Sequence, residues 1–168
     1  MKRFIVFLTA ILLAMPIGRT VAGDLAAPTG PVIIEVRGHI TQTNQEGVAR
    51  LDLPMLQAIG MDVVTTQTPW TEGKVRFEGV RVKALIDRLG GSGTHLLARA
   101  LNDYQVDIPL EDFRDSGAIL AVSADGKRLT ARDKGPVWLI YPFDDRPDLN
   151  NPIHFDRAIW QLKTIEIQ

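Results

Sequence analysis

The chain holds no cysteine, so neither a thiolate nucleophile nor a soft sulfur ligand is available anywhere in its 168 residues. Its three histidines, His39, His95 and His154, stand far apart and lack the clustered spacing of a metal site. No G-x-S-x-G elbow, H-E-x-x-H helix or phosphate-cradling glycine loop occurs. "LGGSG" at 89–93 is rich in glycine, but it follows a helical pattern and reads as a helix stop. Neighbouring carboxylates, Asp144-Asp145 and Glu111-Asp112, need a cleft to shift their pKa values before they can do acid–base work. The aromatic pattern is stronger. Trp70, Tyr104, Tyr141 and Phe143 each fall at or beyond the end of a strand-like run, beside polar residues, in "TPW", "NDY" and "YPFDDR". Aromatic rings at strand exits can either cap a core or line a pocket for a planar heterocycle.

The elements that must position these residues follow from periodicity. Residues 1–23 carry Lys2 and Arg3, then the apolar run "FIVFLTAILLAMPI", then the small residues of "TVAG". That is the pattern of a cleaved secretory signal peptide; a retained anchor is the alternative, for which the run is short. Cleavage removes Lys2, Arg3 and Arg19 and leaves a mildly acidic body, which argues against binding a phosphate backbone as the main task. Residues 24–31 read as a flexible lead, and 32–168 as one domain. Strands are expected at "VIIEVR", "VARLDL", "DVVTTQT", "HLLARAL", after "NDY", at "VWLIYP" and at the closing "AIWQLKTIEI". "AILAVSADGKRLTAR" reads as a hairpin across Asp125-Gly126.

Asp52 caps a short helix with Pro54 in its first turn and Gly60 at its end. "FEGVRVKALIDRLGGSG" reads as the clearest helix, with Val82, Leu85, Ile86 and Leu89 on one face. "PLEDFRDSG" gives another short helix, and "FDDRPDLNNPIHFDR" a long polar loop of the kind that carries function or stays disordered. Many short strands with few short helices define an α+β, strand-rich single domain.

In order and spacing, "FEGVRVKALID", "ALNDYQVDIPLEDF", "LAVSADGKRLTARDKGPVWLIYPFD" and "RAIWQLKTIEI" resemble the molybdopterin-binding domain of the sulfite oxidase family, over residues 32–168. The nearest resemblance is to its short, exported, single-domain members. It implies that family's fold and a pterin site. The family's enzymes hold molybdenum through a cysteine, which by order along the chain belongs in or near "TTQTPW", with Thr66 or Thr68 nearest the place. Threonine is a poor replacement for a soft thiolate. The arginine of the family's G-x-P-x-R is Trp138 here, and the lysine of its closing K-W pair is Arg157, displaced from Trp160. Both Trp138 and Trp160 also fit plain strand patterns, as core residues.

The resemblance therefore implies a site shaped for a pterin without its metal chemistry. A pterin presents a flat face and a guanidine-like edge, which a carboxylate can receive as a fork. Candidates for that acceptor are Asp103, Asp133 and Asp144; for stacking, Trp70, Tyr104, Tyr141 and Phe143; for further hydrogen bonds, Thr68 and Asn102; and for a polar or anionic tail, Arg132, Arg146 and Arg157. No catalytic group and no metal ligand is assigned. Short members of this kind resemble companions of membrane sensors. The expectation is a non-enzymatic periplasmic pterin-binding protein that presents its ligand state to the periplasmic domain of a membrane sensor. The alternative is a periplasmic oxidoreductase dependent on the molybdenum cofactor, with a non-cysteine metal ligand.

Overall fold

A computed structural model describes residues 25–168. The signal-peptide reading of residues 1–23 lies outside the described residues. Among them, no helix is long and apolar enough to cross a membrane.

Two five-stranded sheets form the domain. The first joins β1 (Ile34–Gly38), β2 (Val48–Leu51), β5 (His95–Ala100), β6 (Gln105–Pro109) and β10 (Leu162–Ile167) in the order β2-β1-β10-β5-β6. Its pairs are antiparallel except β1 with β10, which run parallel with Glu35 opposite Thr164. The second joins β3 (Asp62–Gln67), β4 (Lys74–Arg81), β7 (Ile119–Ala124) and β8 (Lys127–Arg128) in order, with β9 (Trp138–Ile140) also paired to β7. Among the described residues, four short α-helices connect them: α1 (Leu53–Ile59), α2 (Val82–Arg88), α3 (Asp112–Asp115) and α4 (Pro152–Arg157). The α+β, strand-rich class read from the sequence is the class observed.

The "ILAV" run of β7 explains the layering. Ile119, Leu120, Ala121 and Val122 are all buried, so both faces of this strand are covered. Successive side chains point to opposite faces. Leu120 and Val122 accordingly enter the large core between the sheets, whereas Ile119 and Ala121 join a smaller cluster with Val64, Phe77, Trp138 and Ile140. β9 alternates in the same way, sending Leu139 into the large core and Trp138 into the smaller one.

Asp52 behaves as its position before α1 predicts. Its Oδ1 accepts the Met55 N–H at 3.0 Å, while Oδ2 accepts the N–H groups of Thr29 and Gly30 at 2.7 and 2.8 Å. The same carboxylate therefore caps a helix and ties down the lead. Together with Leu25 N–H on the Thr43 carbonyl at 2.9 Å, these bonds tether the largely exposed lead, residues 25–31, to the domain.

Two sequence expectations change. The long helix expected from Phe77 begins only at Val82, because residues 77–81 complete β4 against β7. A ladder partner outweighs local propensity there: Gly79 lies so close to β7 that a Cβ on it would sit 2.0 Å from the Leu120 carbonyl oxygen. The long polar stretch 143–157 is also ordered. It holds a 3₁₀ turn at Pro147–Leu149 and then α4, whose Pro152 opens the helix while Asn151 Oδ1 accepts the His154 N–H at 3.2 Å.

Candidate functional site

β3 leads into the stretch "TTQTPW", in which Thr66 and Thr68 each have a structural task while Thr65 faces solvent. Thr66 is buried, and its hydroxyl meets Asp144 twice, lying 3.2 Å from Oδ1 and accepting the Asp144 N–H at 3.1 Å. The Asp144 carboxylate also takes the Gln67 N–H at 3.2 Å and the Lys74 ammonium at 3.0 Å. Lys74 above all holds Asp144 below the usual carboxylate range, against the cost of burial, with the Gln67 and Thr66 hydrogen bonds helping. Thr68, buried as well, accepts the Trp70 N–H at 3.2 Å and pairs with the Thr71 hydroxyl at 3.1 Å. These bonds close a tight turn that projects Trp70 from the end of the strand.

Trp70 lands in an aromatic cluster. Its ring centroid lies 5.1 Å from Trp160, 6.1 Å from Trp138 and 6.3 Å from Phe155. Trp138 is held at the bottom by its indole N–H, which donates to the Ala158 carbonyl at 3.0 Å. Lys134 Nζ stands 5.6 Å from the Trp138 centroid and 6.0 Å from that of Trp160, within cation–π range.

A cavity of about 220 Å³ opens beside this cluster. Trp70, Tyr104, Phe155 and Trp160 supply aromatic walls, Asn102 and Asp156 are polar residues of the lining, and Ala100 and Ala158 are small residues that leave the space free. Three chain segments make it: the β3–β4 turn, the β5–β6 turn, and the end of α4 running into β10. The β5–β6 turn has Asp103 at φ 64°, a left-handed residue that reverses the chain and leaves Asn102 and Tyr104 on the cavity side. The Tyr104 hydroxyl donates to the Asp156 carbonyl at 3.4 Å and links that turn to α4.

Of the residues singled out from the sequence, Trp70, Asn102 and Tyr104 meet at this cavity, and Thr68 supports Trp70 from behind. The others lie elsewhere. Tyr141 and Phe143 are buried in the large core, where strand alternation and the turn after β9 send them inward. The Tyr141 hydroxyl is enclosed without a hydrogen-bond partner, and burial first, then the Asp112 charge, pushes its pKa up. Asp103 projects into solvent, 3.9 Å from Arg99. Asp133 accepts the Thr130 hydroxyl at 2.7 Å within the exposed turn Ala131–Asp133, which also carries Arg132. Asp144 is committed to Thr66, Gln67 and Lys74, Arg146 to Asp148 at 2.6 Å, and Arg157 to Asp112 at 2.5 Å. The sequence reading left Trp160 between the family's aromatic position and the core and passed over Phe155 and Asp156, and all three line the cavity. The Asn151-Pro152 start signal offered the clue to the last two, since it begins the helix that carries them.

Comparison with known proteins bears on the family and the fold. The family model described as the oxidoreductase molybdopterin binding domain matches residues 52–143. No curated protein sequence matches the chain. Among solved structures, the sulfane dehydrogenase SoxCD from Paracoccus pantotrophus superposes with a TM-score of 0.59 at 16% identity, over 81% of this chain and 38% of that one. The chain thus spans well under half the length of that structure, and at this identity the likeness speaks for the fold. With a matching family model over more than half its length and a sulfite-oxidase-type fold, the chain belongs to the oxidoreductase molybdopterin binding domain family, and it does so without a cysteine.

Proposed function

We propose that this protein binds a pterin without molybdenum and acts as a non-catalytic periplasmic binding protein. The aromatic cavity of Trp70, Tyr104, Phe155 and Trp160 carries this reading. A flat bicyclic ring buries its faces against such walls, and its amino-pyrimidine edge needs a donor and acceptor pair. Asp156 and Asn102 are the polar residues at hand, so Asp156 takes the acceptor role for which Asp103, Asp133 and Asp144 were first considered. At about 220 Å³ the space is smaller than the roughly 300–1,000 Å³ of drug-sized pockets, which suits one bicyclic ring with a short side chain.

The residues present do not fit a resident molybdenum centre. No thiolate exists in the chain, Thr66 is engaged with Asp144 and Thr68 with the turn that holds Trp70, and among the described residues no group of three or more histidines and carboxylates is placed to hold a metal. The signal-peptide pattern supports export, and an exported binder without a catalytic group suits a partner that reads its loading, the periplasmic domain of a membrane sensor.

Purified protein tests the reading directly. Adding a reduced pterin, tetrahydrobiopterin, is expected to quench tryptophan fluorescence saturably, and Trp70→Ala to weaken binding at least about tenfold, a loss of ~1.4 kcal/mol, while still unfolding cooperatively at a lowered melting temperature. Absence of pterin binding overturns the proposal, and stoichiometric molybdenum in the purified protein replaces it with the oxidoreductase. For the partner, a pull-down from membranes with and without pterin is expected to retain a sensor in one state only; equal recovery in both overturns that step.

A further inference from the structure

α4 forms one wall of the cavity through Phe155 and Asp156, yet this six-residue helix has no fully buried residue. A helix this short has little intrinsic stability and takes its place from tertiary contacts. Residues three apart lie on one face. His154 and Arg157 are such a pair, and both turn away from the cavity toward Asp112 at the start of α3. Arg157 Nη1 is 2.5 Å from Asp112 Oδ2, and His154 Nε2 is 3.7 Å from the same oxygen. The three side chains are only 15–19% exposed, unlike the chain's other ion pairs among the described residues, each of which has at least one side chain more open to water. Asp112 itself stands on firm ground, because the next residue, Phe113, is buried and stacks on Tyr141 at 6.3 Å.

We propose that Asp112 is a positioning residue for the cavity: through Arg157 and His154 its carboxylate fixes α4, and so the places of Phe155 and Asp156. Asp112 does not line the cavity and touches no ligand there. The ligand-binding consequence rests on the pterin reading, whereas the mechanical one does not. A partly buried pair that loses one member leaves the other charge uncompensated, so removal of the carboxylate is felt locally.

The experiment compares Asp112→Asn, Asp112→Glu and Arg157→Gln with the wild type in the full protein. Hydrogen exchange without ligand is expected to quicken at the amides of residues 153–160 in Asp112→Asn and Arg157→Gln, with β4 and β7 unchanged, and Asp112→Glu is expected to restore protection. Tetrahydrobiopterin binding is expected to weaken about tenfold in the first two variants and to recover in Asp112→Glu. Unchanged exchange at 153–160 overturns the inference even where pterin binds. Exchange that quickens evenly across both sheets in Arg157→Gln also overturns it, since the pair would then serve the whole fold. If wild-type protein binds no pterin, the proposed function fails while the exchange result still decides the role of Asp112.

Discussion

Asp52 shows what one side chain can settle. It is buried, and burial alone would raise its pKa, but the N–H groups of Met55, Gly30 and Thr29 and the Thr29 hydroxyl together hold it below the ordinary carboxylate value. A carboxyl whose pKa is depressed by folding stabilises the fold above its unfolded value of about 3.9, and that contribution disappears as pH falls through the folded value. Asp62, Asp144, Asp148 and Glu166 are shifted in the same direction, so stability is expected to drop below about pH 4. Asp52→Asn is expected to melt at a lower temperature at pH 7 and to show a shallower loss on acidification; thermal melting across pH 2–7, about the range over which carboxyls titrate, checks both. An unchanged acid limb would mean that Asp52 does not take part. The capping role was legible in the sequence from Asp-x-Pro before an apolar run. The grip on Thr29 and Gly30 was not, because a bond between residues more than twenty apart leaves no local pattern.

At the scale of the element, β4 and α2 show how a ladder overrides a periodicity. Val82, Leu85 and Leu89 are buried on one helix face as their spacing predicts, and Gly90 follows at φ 61°. The preceding "FEGVR" joined that pattern on paper but is strand in the fold, paired with β7 through a register shift between Glu78 and Gly79. Gly79→Ala is therefore expected to destabilise the protein by about 1–3 kcal/mol, since the added methyl meets backbone that cannot swing aside. Urea unfolding measures the loss, and a neutral result would show that β7 can move. α4 teaches the converse. Its start signals were present in Asn151 and Pro152, but its polar composition concealed that Phe155 and Asp156 face a cavity made by two distant turns.

For the whole molecule, the ends of the domain decide closure. β10 lies between β1 and β5, so the last strand is an interior strand of the first sheet. Leu162, Ile165 and Ile167 are buried there, and the strand's backbone pairs on both sides. Deletion of residues 162–168 is expected to abolish cooperative thermal unfolding, because it splits the first sheet into two strand pairs, each with a bare edge, and opens the core at once. A sharp melting transition in the truncated protein would show that the two sheets stand without it. The same closure brings Trp160, just before β10, against Trp70 from the far end of β3, which makes the cavity a product of the whole fold.

The sequence by itself determined the strand-rich α+β class and most element positions, through periodicity and caps, the lack of any thiolate ligand, through composition, and the family, through the resemblance of its motifs. It also marked Trp70, Asn102 and Tyr104, whose place at strand exits is a local property. Only the tertiary structure decided which aromatic rings line the cavity and which fill the core. Tyr141 and Trp160 look alike in sequence, each at the edge of an apolar run beside polar residues. Strand alternation and sheet closure send one inward, with its hydroxyl enclosed, and set the other against Trp70 at the cavity wall. Burial depends on what the rest of the chain brings alongside a residue, and no single stretch of sequence carries that information.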